Sequence, residues 1–277
     1  MTAKKIIKLY AKPKLKAPVM LAAWPGVGNV SMIVANYLLD KIDFRDLAEI
    51  DASYFFDPIG VLAREHLVET PQFPQSHFYY WKNRKGENDI ILFIGDDQPD
   101  VKIYDFAGCV LDLGKTFGIE RVYTCAAAMT NIHFTEQPKV WAVATNKKIA
   151  NELKKYDLLQ KGSIHIAGLN GLLLGLAKER DLDGVCIMTE VPTQTSRMEN
   201  PMASLAILNT IMKVIKISVD TNELAERAKE MMEQVKQAMT IAMGEYIEHF
   251  TQPIWEQDGE EGEEDEDDGE GSIGEQN

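Results

Sequence analysis

The sequence predicts an α/β protein, a three-layer α/β/α sandwich around a mostly parallel or mixed sheet. Three observations predict it. Short apolar runs alternate with stretches of helical spacing along most of the chain. The apolar runs are continuous, as expected for strands covered on both faces. Finally, 277 residues, 45% of them hydrophobic, suffice for a sizeable core without disulfides or metal.

The elements follow in order. Val19–Ala23 reads as a strand, followed by the helix-like density of Met32, Ile33, Ala35, Tyr37, Leu38 and Leu39. Asp89–Gly95 is a buried strand stopped by glycine, and Tyr104–Phe117 has helical spacing. Arg121–Ala126 and Val140–Ala144 read as strands, Lys147–Tyr156 as a helix, and Gly184–Met188 as a further strand. Residues 54–81 break the rhythm with prolines and clustered aromatics, and His77–Trp81 reads as an antiparallel edge element.

Charge and cysteine usage exclude several classes. The formal net charge is -14, but residues 256–277 hold 12 acidic residues and no Lys or Arg, leaving 31 acidic against 29 basic residues in the rest. That tail has one large aliphatic residue, Ile273, and is expected to be a disordered acidic extension of a single domain over 1–255. A near-neutral body with a polyanionic tail lacks the cationic surface that nucleic acid needs. Cys109, Cys125 and Cys186 form no paired motif, so neither a disulfide framework nor a metal site is encoded. No apolar run approaches membrane-spanning length, and the reading is a cytoplasmic protein without a membrane partner.

The last apolar pattern is a long one. Leu224, Ala228, Met231, Val235, Met239, Met243, Tyr246 and Phe250 recur at spacings of four and three. They line one face of a helix over about residues 221–250, some 40 Å long. Asp220 followed by Glu223 resembles a capping box. Leu224, Met231, Val235, Met239 and Met243 are the candidate face for a second subunit or a partner, methionine being suited to adaptable contacts, and core packing is the alternative.

The stretch AAWPGVGNV, residues 22–30, sets two glycines between a strand and a helix, where a nucleotide-binding enzyme places its phosphate loop. Glu49 or Asp51 stands at the distance of a ribose-binding acid. Against this, Pro25 removes a donor, Asn29 adds a side chain, and no Gly-Lys-Ser/Thr follows. Gly26 and Gly28 therefore read as permissive turn residues that let the strand enter its helix closely. Asp96 and Asp97 end a strand and read as helix-capping residues ahead of Val101 rather than as a paired-carboxylate site. His133 reads as an ordered loop histidine, with a general base as the alternative, and His165, inside an apolar run, as a core histidine. Gly26, Gly28, Asn29, Asp97, His133 and Asn170 are the candidate pocket residues, placed by the rule that open α/β sheets bind ligands beyond their carboxyl strand ends.

Taken together, the motifs resemble the proteasome assembly chaperone 2 (PAC2) family in its archaeal and bacterial branch. The resemblance rests on Pro25-Gly-Val-Gly-Asn29, DPI at 57–59, GDDQP at 95–99, and FGIERVY at 117–123 running into NIHFTEQP at 131–138. It continues in IAGLNGLLLGLA at 166–177 and EVPTQTSRMENPMAS at 190–204. It covers roughly residues 15–240. It implies a fold similar to nucleoside phosphorylases, homo-oligomeric assembly and no established catalytic activity, and no cofactor is expected. Eukaryotic relatives guide assembly of proteasome α-subunits. Some archaeal relatives bind the proteasome through a C-terminal hydrophobic-Tyr-any tripeptide, whereas this sequence ends Glu275-Gln276-Asn277. The family's Arg in the histidine loop is replaced by Gln137, and its strand-end Glu by Asp97 or Gln98.

The expected function is thus a non-enzymatic, self-associating chaperone or scaffold that binds protein partners such as proteasome subunits. The alternative is an enzyme or sensor that binds a nucleotide or nucleoside at the strand ends.

Overall fold

The structure is a computed structural model and describes residues 6–58, 60–156, 158 and 163–251, with side chains of the last helix up to Gly244. The acidic stretch 256–277 lies outside the described residues. Ten strands are described: β1 (Ile7–Leu9), β2 (Val19–Ala23), β3 (Arg45–Ile50), β4 (Ala63–Arg64), β5 (Leu67–Val68), β6 (Ser76–Trp81), β7 (Ile90–Gly95), β8 (Arg121–Thr130), β9 (Val140–Ala144) and β10 (Asp183–Pro192). The α-helices among them are α1 (Val30–Lys41), α2 (Ile103–Thr116), α3 (Lys147–Leu153), α4 (Gly168–Glu179), α5 (Pro201–Ile215) and α6 (Asn222–Thr251).

Eight strands form one mixed sheet in the order β1-β3-β6-β7-β2-β8-β10-β9, and β4 pairs with β5 in a separate hairpin. The central strands β7, β2, β8 and β10 are parallel, while β6, β3, β1 and β9 run antiparallel to their neighbours. Two-residue periodicity divides the central strands between two cores. On one face Val19, Leu21 and Ala23 of β2 and Ile90, Leu92 and Ile94 of β7 pack with α1, α3, α5 and Leu224 at the start of α6. On the other, Met20, Ala22, Ile91 and Phe93 pack with α2 and α4. Both faces are covered, which is why these strands read as unbroken apolar runs.

His77–Trp81 is antiparallel but is not an edge: β6 lies between β3 and β7. Phe78 is fully buried, its ring centroid 4.6 Å from that of Phe93. The edges are instead β1, three residues long, and β9.

Inter-residue contacts divide the chain into a body, Met1–Met232, and a second unit from Glu233 on. Within the body, the first turns of α6 are anchored by buried Leu224 and by Lys41, whose Nζ lies 2.6 Å from Glu223. Asp220 accepts a hydrogen bond from the Asn222 N–H (3.0 Å) and so caps the helix, but Glu223 turns to Lys41 rather than closing a capping box.

Candidate functional site

Strand β2 stays beside β8 only from the pair Val19/Arg121 to Ala22/Thr124. It then turns away through Trp24, Pro25 and Gly26, whereas β8 continues to Thr130 against β10. From Cys125 onward the β2 side of β8 has no strand beside it among the described residues. A cleft of about 380 Å³ opens there, at the carboxyl ends of β2 and β8. The run Ala126-Ala127-Ala128 lines it, and its small side chains leave the room.

The segment before α4 and the first turn of α4 supply another part of the lining, through Ile164, His165, Ile166 and Asn170. Gln98 fastens this segment to the β2 turn. Its Nε2 donates to the Pro25 carbonyl (2.9 Å), and its Oε1 accepts from the Leu169 N–H (3.1 Å). The amide of Gln98 thus bridges two loops and caps α4 at once.

Three polar groups of the lining lack a partner in the protein: Trp24 Nε1, Ser31 Oγ and Asn170 Oδ1. Trp24 is 1% exposed and Ser31 6% exposed. All three atoms have almost no accessible surface, and Ser76 Oγ, Thr124 Oγ1 and Trp141 Nε1, outside the lining, are buried and unpaired in the same way. Among the described residues the ionisable side chains in the lining are His165 and Cys125, and burial pushes the Cys125 thiol well above the ordinary cysteine range. Among the described residues two larger hollows, about 980 and 480 Å³, are lined in part by charged side chains, Arg45, Lys82, Arg84 and Lys85 in the first and Glu120, Arg121, Glu152 and Asp183 in the second; the second lies at the opposite, amino-terminal ends of β2, β8 and β10.

Of the six pocket residues expected from sequence, Gly26 and Asn170 line the cleft. Gly28 and Asn29 belong to the adjoining turn and are occupied by the protein itself. The Gly28 N–H donates to the Ser196 carbonyl (3.1 Å) and the Asn29 N–H to the Gly26 carbonyl (2.9 Å), so these two donors are already used within the protein. Asn29 Nδ2 donates to Glu199 (3.2 Å), which also pairs with Arg227. The turn is a knot joining the starts of α1, α5 and α6, not a phosphate cradle. Glu49 is placed on β3, with β6 and β7 intervening before β2, and pairs with Lys8 and Tyr10, so it is no ribose-binding acid for this loop.

Asp97 accepts from the Gln98 N–H (2.8 Å) and Asp96 from the Gln75 N–H (3.0 Å). Neither caps α2, which starts after Lys102 without a side-chain cap. His133 is an exposed loop residue with Nδ1 2.7 Å from Thr135 Oγ1, outside the cleft. His165, read as a core histidine, is exposed and lines the cleft instead, because the segment around it lies on the surface. Trp24, Ser31 and Gln98 were missed by sequence reasoning; Trp24 and Ser31 flank the glycine turn that drew attention. Among the described residues no group of three His, Cys, Asp or Glu side chains is placed to hold a metal.

A profile of the PAC2 family matches residues 20–239. The chain belongs to the PAC2 family. A second comparison aligns it at 27% identity over 220 residues with an uncharacterized protein of Methanocaldococcus jannaschii, covering 78% of this chain and 81% of that protein. Among solved structures it is similar to Pyrococcus furiosus PbaB, described as an archaeal proteasome activator, with a TM-score of 0.72 and 26% identity over 84% of this chain and 98% of that one. Pyrococcus furiosus PbaA, described as an archaeal homolog of proteasome-assembly chaperone, shares the fold with a TM-score of 0.64 and 21% identity, covering 84% and 96% of the two chains.

In this PAC2 chain the candidate partner helix changes character along its length. Leu224 and Val235 are buried and Met231 half-buried, whereas Met239 and Met243 are 38% and 63% exposed. No described helix is long and apolar enough to cross a membrane.

Two glycines of α4 give a test of how the cleft wall is packed. A Cβ on Gly171 would sit 1.9 Å from the backbone oxygen of Ile166, whereas one on Gly175 would meet nothing within 4 Å. Both substitutions to alanine gain about 1 kcal/mol of helix propensity. Gly175→Ala is expected to raise stability by about that amount, and Gly171→Ala to lower it by about 1–3 kcal/mol as overpacking displaces the Ile164–Ala167 segment. Urea unfolding checks both, and a shift of the same sign in the two variants would contradict this packing.

Proposed function

We propose that this chain is a non-enzymatic, self-associating protein of the proteasome-assembly-chaperone type, acting in the cytoplasm on protein partners that include proteasome subunits. The observation that carries the reading is the apolar far part of α6. Met239, Ile241 and Met243 are 38%, 62% and 63% exposed. Exposed apolar side chains grouped on one element mark a contact surface. Met239 and Met243, four residues apart, continue the row begun by Leu224, from which Ile241 lies apart, and a second copy of the same helix offers a matching row. Membership in the PAC2 family, and the descriptions of PbaA and PbaB, support the choice of proteasome subunits as partners. The acids and histidine with the most catalytic promise in the sequence, Asp96, Asp97 and His133, are engaged in loop hydrogen bonds, which fits a scaffold.

The double variant Met239→Glu/Met243→Glu tests self-association. Light scattering at micromolar concentration is expected to show the native chain as a multiple of its monomer mass and the variant as a monomer with unchanged circular dichroism. An unchanged multimer with intact helicity would overturn the role given to α6.

A further inference from the structure

We propose that the basic hollow beside the turn between β6 and β7 is the docking site for the acidic segment 256–277 of a second copy of this chain. Charge complementarity carries the inference. Arg45, Lys82, Arg84, Lys85 and Lys216 line the hollow, against one acid, Asp43. Among the described residues Lys216 pairs with Glu87 (2.6 Å), whereas the side chains of the other four cations have no ionic or hydrogen-bonding partner. Four unneutralised cations around one hollow stand out in residues 1–255, where 29 basic and 31 acidic residues nearly cancel.

The fold holds the backbone under these cations in place. In the loop between β6 and β7 the Gly86 N–H donates to the Asn83 carbonyl (3.3 Å), which sets Arg84 and Lys85 at the two central positions of a turn. Asp89 fastens the base of that loop, accepting from the N–H groups of Asn83 (2.9 Å) and Lys16 (2.7 Å). Arg45 is paired across the sheet with Tyr80 of β6, and Lys216 caps the end of α5. A backbone fixed in advance lowers the ordering cost of binding a run of anions.

Residues 256–277 supply such a run: 12 acidic residues and no Lys or Arg, with six acids in succession from Glu263 to Asp268. A self-repelling run of this kind is drawn to unneutralised cations. The length of α6 favours a second copy as its source. Two copies of α6 related by a two-fold axis perpendicular to them run antiparallel. Centred on Met239–Met243, that pairing sets Thr251 of one helix beside Met231 of the other. The chain after Thr251 then leaves over the first turns of the other copy's α6, and Lys216 and Ser218, just ahead of those turns, line the hollow. From Met231 back to Asn222 is about 14 Å along the helix. The stretch 252–262, which precedes the six acids, reaches up to about 37 Å and so suffices. The inference rests on the self-association through α6 proposed above.

The test is zero-length carbodiimide cross-linking of the full chain, which joins a lysine amine to a carboxylate it touches, with mass spectrometry of the covalent dimer and the monomer separated by mass. Links from Lys82 and Lys85 to acids of 256–277 are expected in the covalent dimer and absent from the monomer. Raising the salt to about 0.5 M should weaken them, as exposed charges are then screened. Arg45→Glu/Arg84→Glu leaves both reporting lysines in place and, with unchanged circular dichroism, is expected to lower their link yield about tenfold. The proposal is overturned by the same links within the monomer, by links to Lys115, Lys139 and Lys178 as abundant as those to Lys82 and Lys85, or by a yield the variant leaves unchanged. Light scattering on the same sample separates the two readings: a multimer without these links overturns this proposal alone, and a monomer overturns the self-association as well.

Discussion

Phe106→Ala is expected to cost about 3–5 kcal/mol of unfolding free energy, as fully buried aromatic truncations do. Phe106 has no exposed surface and is the hub of an aromatic cluster, with ring centroids 5.1 Å from Phe55, 5.9 Å from Phe56 and 6.0 Å from Phe93. These contacts join three separate parts of the chain: the turn after β3, strand β7 and helix α2. Edge-to-face pairs add to the area term, so removing the ring loses both and leaves a cavity lined by three other rings. Phe106→Leu keeps most of the volume and is expected to cost less than half as much. Urea unfolding measures both, and a loss below about 1 kcal/mol for the alanine variant would show that the cluster collapses around the gap.

Gly28→Ala is expected to be nearly as damaging although it adds one methyl group. Gly28 has φ +63°, which costs an L-residue about 1–2 kcal/mol. Its Cβ would meet Asn200 Cβ at 3.1 Å and Val191 Cγ2 at 3.4 Å. Yielding there disturbs the bond from the Gly28 N–H to Ser196 and the one from the Asn200 N–H to the Gly28 carbonyl (2.8 Å). Asn200 also caps α5 through the Ala203 N–H (2.9 Å), so strain at Gly28 reaches a second helix. The combined loss is expected at about 2–4 kcal/mol. Gly26 provides the contrast: its φ of -168° suits any residue and its Cβ would touch nothing, so Gly26→Ala is expected to leave stability within about 0.5 kcal/mol. Equal effects at the two glycines would contradict the structural role assigned to Gly28.

The same turn shows how far the sequence could be read. The strand-glycine-helix order was visible because glycine punctuates an apolar run, and Gly28 was legible as a turn residue. Its use was not, because the partners Val191, Ser196 and Asn200 are over 160 positions away. Strands β2 and β7 were legible because burial on both faces makes them continuously apolar. The interior place of β6 was not, since its periodicity does not report which strands flank it, and β1, β4 and β5 are too short to show a period. Arg121–Ala126 was expected as a strand, but the chain stays extended to Thr130, and Ala127, Ala128 and Met129 of the added stretch line the cleft. The cleft draws on residues near positions 24–31, 98, 125–129, 164–170 and 188, none with a motif of its own. His165 was misread because Ile164 and Ile166 look like core in sequence but sit in an exposed segment; Ile164 is 37% exposed.

The functional account stands or falls on contact with proteasome subunits. Its most direct test is native mass spectrometry of the full-length chain mixed with purified archaeal proteasome α-subunits at micromolar concentration. The account predicts a species containing both proteins, whose abundance drops in the Met239→Glu/Met243→Glu variant. Separate species at every ratio, from a chain that is folded and multimeric on its own, would contradict it.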